Sequence, residues 1–234
     1  MEGWLQKLGS LPLLAQPGER WMYHVSGDVL GILIARVSGR SLGTFMRERI
    51  FDPLGMKDRA FHEPSAKIER LAESYCFNRQ TNTLDVFDGA ENSAWRAEPP
   101  FESGGGGLVS TIDDYFAFSR MMLNKGRHGR EQVLSRAAVE LMTTDQLTPE
   151  QRAGSEIFFG AHGSWGLGMA VGPRAQRNLP HPRPIRLGQR LRHIGIHRSC
   201  PGNDRRSLHA THDGFAGTSE GIHRLWTLAY AAMQ

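Results

Sequence analysis

The chain has 234 residues, 39% hydrophobic and 22% charged, with a formal net charge of +4. That size supports one domain, or one domain with a smaller lobe, and the apolar content excludes disorder throughout. Two cysteines, Cys76 and Cys200, exclude a disulfide scaffold and read as reduced thiols, and no apolar run approaches the ~20 residues of a membrane span.

The start, Met1-Glu2-Gly3-Trp4, shows no basic stretch followed by an apolar one, so no secretory signal is readable and a cytoplasmic location is expected. Leu11 to Leu14 is a short apolar run before a turn at Pro17-Gly18. Trp21, Tyr23 and Val25 alternate like a short extended piece. Ser26 is placed to cap a helix to about Val37, with Val29, Leu30, Leu33, Ile34 and Val37 on one buried face and Gly39 as its stop. Ser41 is placed to cap a second helix to about Phe51, ended by Pro53-Leu54-Gly55, with Leu42, Phe45, Met46 and Ile50 inward. Residues 60–100 read as short strands and loops, and Gly104 to Gly107 as a four-glycine hinge. Ser110-Thr111-Ile112-Asp113 reads as a capping box before a helix to about Asn124 that buries Ile112, Phe116, Met121 and Met122 or their neighbours. Ser135 caps a fourth helix to about Thr143. Ile157-Phe158-Phe159 and Trp165 to Met169 look like strands with a Gly-rich turn, and Gly214 to Ser219 and Leu225 to Tyr230 like two more.

Charge is unevenly spread. Only four basic residues are lysines, and residues 174–206 hold nine arginines and one acid, Asp204. Such a block can mark nucleic-acid binding. Here it lacks interleaved aromatics and holds Pro180, Pro182, Pro184 and Pro201, so an irregular solvated insertion is the plainer reading. The expected division is a helical lobe with the first part of the fold at 1–172, the Arg/Pro-rich insertion at 173–210, and a C-terminal strand segment at 211–234. His193 and His197 are four apart with Cys200 after them, but Gly195 and the lack of a fourth ligand argue against zinc. No metal and no cofactor is expected. The four-glycine loop lacks the Gly-Lys-Ser/Thr of a phosphate loop.

Four segments carry a resemblance. They are Gln16 to Tyr23; Val37-Ser38-Gly39-Arg40-Ser41 through Ile50 to Met56; Gly104 to Thr111 with Asp113-Asp114-Tyr115; and His212 to Ser219. Together they resemble the serine β-lactamase and penicillin-binding-protein-like superfamily, with class C β-lactamases and family VIII carboxylesterases nearest in flavour. The resemblance implies an α+β, β-lactamase-like fold: a helical lobe around Tyr23 to Ser135 and part of an antiparallel sheet. It implies hydrolysis through an acyl-enzyme, in which a serine attacks, a lysine one helical turn later helps remove its proton, and a tyrosine relays protons. The tyrosine motif falls on Tyr23, and Val25 stands where the family often has Asn. The strand motif falls on His212-Asp213-Gly214. By that match His212 donates to substrate, Gly214 admits it close to the strand, and the Phe215 N–H serves the oxyanion.

The family's Ser-x-x-Lys is missing. The residues three before the four lysines are Trp4, Leu54, Pro64 and Met122. Only 22 residues precede Tyr23, whereas the family places this motif far upstream, so the chain reads as N-terminally truncated relative to the family. A second serine stands in Gly217-Thr218-Ser219-Glu220-Gly221, the Gly-x-Ser-x-Gly of a nucleophile elbow. After Ser219 only Glu220 and His223 remain as triad partners, and both are too near to fold back. The leading expectation is a carboxylesterase-type serine hydrolase acting on small acyl esters, with Tyr23, His212 and Ser219 as catalytic candidates and Gly214 and Phe215 binding substrate. The alternatives are a non-catalytic piece of that fold, or an esterase using Ser219. The expected partner is a small-molecule ester or β-lactam, with neither nucleic acid nor membrane, and with homo-oligomerisation as a way to cover an incomplete sheet.

Overall fold

The computed structural model describes residues 2–172 apart from 24, 64–66, 79 and 160–162. Of these, Tyr75–Phe87 belong to one compact unit and the remainder to another. The expected strands at 214–219 and 225–230, and the Arg/Pro-rich block, lie outside the described residues.

The larger unit is helical. Helix α1 spans Glu2–Gly9, α2 Val25–Ser38 and α3 Leu42–Met46. A π-helical turn, Arg47–Phe51, leads into α4, Asp52–Leu54. Helix α5 spans Ile112–Leu123, α6 Arg136–Met142, α7 Pro149–Arg152 and α8 Glu156–Phe159. Three antiparallel strand pairs complete the described structure. They are β1 Ser74–Asn78 with β2 Thr83–Asp88, β3 Arg127–His128 with β4 Glu131–Gln132, and β5 Ser164–Trp165 with β6 Ala170–Val171. Ile157 to Phe159, expected as strand, are therefore helical, while Trp165 to Met169 do form the expected strand and turn: the Gly166 N–H donates to the Met169 carbonyl (2.7 Å). Cys76 on β1 is disulfide-bonded, which corrects the reading of reduced thiols.

The predicted caps hold at two helices. Ser41 Oγ accepts the Thr44 N–H (3.2 Å) and Ser135 Oγ accepts the Ala138 N–H (3.1 Å). At α5 the cap lies one residue later than expected: Thr111 Oγ1 accepts the Asp114 N–H (3.2 Å). The Asp114 carboxylate itself accepts the Asp58 N–H (2.8 Å). Ser26 does not cap α2, which begins at Val25. Gly39, at φ 66°, ends that helix as expected.

The core is rich in methionine. Met121 and Met122 of α5 and Val139 of α6 are fully buried against Phe51, Leu54 and Met56. Each such side chain contributes about 1.5–3 kcal/mol by burial. Ile112 (86% exposed) and Phe116 lie outside that core, so the face of α5 centred on Met121 and Met122 is the one buried.

Helix α2 overturns its expected face. Val29, Leu30, Leu33 and Val37 are exposed, while Asp28, Gly31, Ile32 and Ala35 are buried. The cause is the four-glycine loop. A Cβ on Gly104 would stand 2.1 Å from the Gly27 carbonyl oxygen, and one on Gly31 would stand 3.2 Å from Gly104 Cα. Two backbones in such contact demand small residues, so the Gly27, Gly31 and Ala35 side of α2 faces the loop. Asp28 then receives the Ser103 hydroxyl and the Gly105 N–H (3.3 Å). Among the described residues no single helix is long and apolar enough to cross a membrane.

Candidate functional site

Tyr23 stands two residues before the start of α2. The chain leading to it is pinned on α7. Gln151 makes that contact with two bonds and caps its own helix with a third. Its Nε2 donates to the Gly18 carbonyl (2.7 Å), its own carbonyl accepts the Trp21 N–H (2.8 Å), and its Oε1 accepts the Thr148 N–H (3.0 Å). The last bond closes a capping box with Thr148, whose hydroxyl accepts the Gln151 N–H (3.3 Å). Thr148 thus starts α7, and α7 holds the approach to Tyr23.

Four rings gather there. Tyr23 lies 5.8 Å from Trp21 in a stacked arrangement, 5.3 Å from Phe158 of α8, and 6.0 Å, nearly edge-on, from Trp165 of β5. Trp21 in turn lies 5.0 Å from Phe158 and 5.1 Å from Trp165. These separations are those of interacting aromatic pairs, each worth about 0.5–1.5 kcal/mol beyond simple burial. Tyr23 keeps 38% of its surface exposed.

Beside this cluster is a cavity of about 810 Å³. Trp21, Met22, Leu30, Met142, Leu147, Trp165 and Leu167 make its apolar walls, with Arg20, Ser26 and Gln151 as polar members. Trp21 and Trp165 thus belong both to the cavity wall and to the rings around Tyr23. Asp145 shapes the loop behind β5: it accepts the Leu147 N–H (3.0 Å) and the hydroxyl of buried Ser164.

Of the sequence-predicted site residues, Tyr23 is placed. His212, Gly214, Phe215 and Ser219 lie outside the described residues, as do His193, His197 and Cys200. Val25, 45% exposed, is the first residue of α2 rather than part of an extended piece, because the helix begins there. Its side chain has no hydrogen-bonding group where the family often carries an amide. Sequence reading missed Gln151, Phe158 and Leu30 as site residues. Trp165 was visible as a strand aromatic in Trp165-Gly166-Leu167-Gly168, but nothing local tied it to Tyr23, 142 positions away. Among the described residues no group of three or more His, Cys, Asp or Glu is placed to hold a metal ion.

Residues 2–221 match the family model described as Beta-lactamase, and the chain belongs to that family. It is 36% identical over 182 residues to a Mycobacterium tuberculosis protein named Rv1367c, a match spanning 78% of this chain and 44% of that one. It is 33% identical over 152 residues to the lovastatin esterase of Penicillium rubens, spanning 64% of this chain and 36% of the esterase. Among solved structures, the LovD6 mutant of the simvastatin synthase of Aspergillus terreus superposes with a TM-score of 0.59 at 24% identity. That likeness covers 73% of this chain and 44% of the synthase and shows the fold. The chain spans less than half the length of these relatives.

Proposed function

We propose that the protein is a serine hydrolase that cleaves carboxylic esters through an acyl-enzyme. The observation that carries this reading is Tyr23, matched to the family's tyrosine motif, half-exposed and held by three aromatic rings beside an apolar cavity. The 33% identity to a protein named lovastatin esterase supports esters as the substrate class. Val25 supports esters over β-lactams, since it offers no amide contact to a lactam.

In this reading a serine Oγ attacks the ester carbonyl and its proton passes to the base through Tyr23. The oxyanion is held by the Phe215 N–H, with Gly214 leaving room and His212 donating to the substrate. The alcohol departs with a proton returned through Tyr23, and water releases the acid. Ser219 is the nucleophile candidate within Gly-x-Ser-x-Gly. The absence of any Ser-x-x-Lys favours a second reading, in which these 234 residues bind substrate without turning it over.

A fluorophosphonate probe with peptide mass spectrometry separates these readings. A serine adduct, together with nitrophenyl-ester turnover that falls by about 10²–10⁴-fold in Tyr23→Phe, supports hydrolysis. An adduct at Ser219 that is lost in Ser219→Ala, along with turnover, assigns the nucleophile there. A folded protein with neither adduct nor turnover leaves the binding reading.

A further inference from the structure

The geometry points to the cavity beside Tyr23 as the seat of a large, neutral, apolar half of the ester substrate rather than of an acetyl-sized group. This inference rests on the ester reading above and names its substrate class. At about 810 Å³ this cavity, open to solvent along one side, has room for a ligand of drug size, for which sites run roughly 300–1,000 Å³. An acetyl group would leave most of it to water against two indoles, two methionines and three leucines. Such walls are favourable only when apolar surface covers them.

The polar members of the wall have partners of their own: the Arg20 guanidinium is paired with Glu19 (3.2 Å), and both ends of the Gln151 amide are engaged with Gly18 and Thr148. An apolar ligand leaves all of these bonds in place. Leu30 explains part of the exposed face of α2. Its side chain is 55% exposed and forms a wall of the cavity instead of joining the core. The two indoles shared with the Tyr23 cluster put the reacting bond at one end of the cavity and its apolar continuation inside.

The test is a binding series on the full chain, independent of turnover. Unbranched 2-alkanones from six to ten carbons keep the carbonyl of an ester and cannot be hydrolysed. Isothermal titration should show affinity rising about threefold per added methylene, with a negative heat-capacity change. Leu30→Asp and Leu167→Asp should each weaken the longest ketone at least tenfold. Both positions are about half exposed, so these variants retain the fold, which circular dichroism checks. Val37→Asp, on the same helix but outside the cavity and 81% exposed, should leave binding unchanged. Affinity independent of chain length, or unchanged in both leucine variants, overturns the inference. So does failure of every ketone to bind, whether a second copy or this chain's own residues occupy the cavity. Length-dependent binding without ester turnover sustains the inference while the catalytic reading fails. Turnover confined to acetyl esters without length-dependent binding does the reverse.

Discussion

Gln151 joins two jobs that would normally fall to separate residues: closing the cap of α7 and holding Gly18 and Trp21 on the way to Tyr23. Gln151→Ala removes both side-chain bonds, so it should cost about 1–2 kcal/mol in chemical denaturation. The near-ultraviolet circular dichroism of the indoles should change little, because the Trp21 N–H still donates to the backbone carbonyl of residue 151. Asp28 is the buried counterpart at the glycine loop. Asp28→Ala leaves the Ser103 hydroxyl and the Gly105 N–H without that acceptor, and should destabilise by about 1–3 kcal/mol. Asp58 reports on pH. Its carboxylate accepts from Arg70 (2.9 Å) and Lys67 (2.7 Å), and these bonds hold its pKa at about 2. The folded value lies below the ordinary ~3.9, so the stabilisation is complete above about pH 4 and disappears as pH falls towards 2. The Tm difference between the wild type and Asp58→Asn should therefore shrink from pH 5 to pH 2. A difference constant over that range would contradict the pairing.

At the scale of elements, α2 was legible as a helix and misread as a surface. Its apolar residues mark a broad face, and apolar periodicity ordinarily points to the core. The competing signal was Gly27, Gly31 and Ala35 at four-residue spacing, which allows a backbone to approach where larger side chains cannot. Gly104→Ala tests that contact. Its Cβ would overlap the Gly27 carbonyl, so a loss of about 1–3 kcal/mol is expected, with the loop rather than the core disturbed. The exposed face gives the converse test. Leu33→Asp and Val37→Asp should change folding free energy by no more than about 0.5 kcal/mol. They should also reduce any self-association seen in sedimentation, since contiguous exposed apolar surface favours it. A loss of several kcal/mol in either variant would place that face in the core. At α5 both Ser110 and Thr111 are competent caps, and Thr111 is the one used, while the Asp114 carboxylate accepts the Asp58 N–H from 56 positions away.

For the whole molecule, the family and the helical lobe are established, while the chemistry rests on proposals whose tests are given above. The core of Met121, Met122 and Val139 against Phe51, Leu54 and Met56 ties α5 and α6 to the turn before Gly55. Met122→Ala removes a fully buried side chain at the centre of that cluster and should cost about 2–5 kcal/mol. The same variant should leave ketone binding intact wherever the protein remains folded, because Met122 is not part of the cavity wall.

The sequence by itself determined the family, the caps at Ser41 and Ser135, and the helix stop at Gly39. Each is a local pattern, complete within a few residues, and local patterns survive folding unchanged. Only tertiary structure decided which face of α2 is buried and that Trp21, Tyr23, Phe158 and Trp165 meet. Those outcomes depend on pairs more than fifty positions apart: Gly27 with Gly104, Tyr23 with Trp165. The cavity beside Tyr23 belongs to the second group, since its walls come from the approach to α2, from α2 itself, from α6 and α7, and from the turn after β5. No stretch of sequence contains a volume; it exists only once the elements that enclose it have packed.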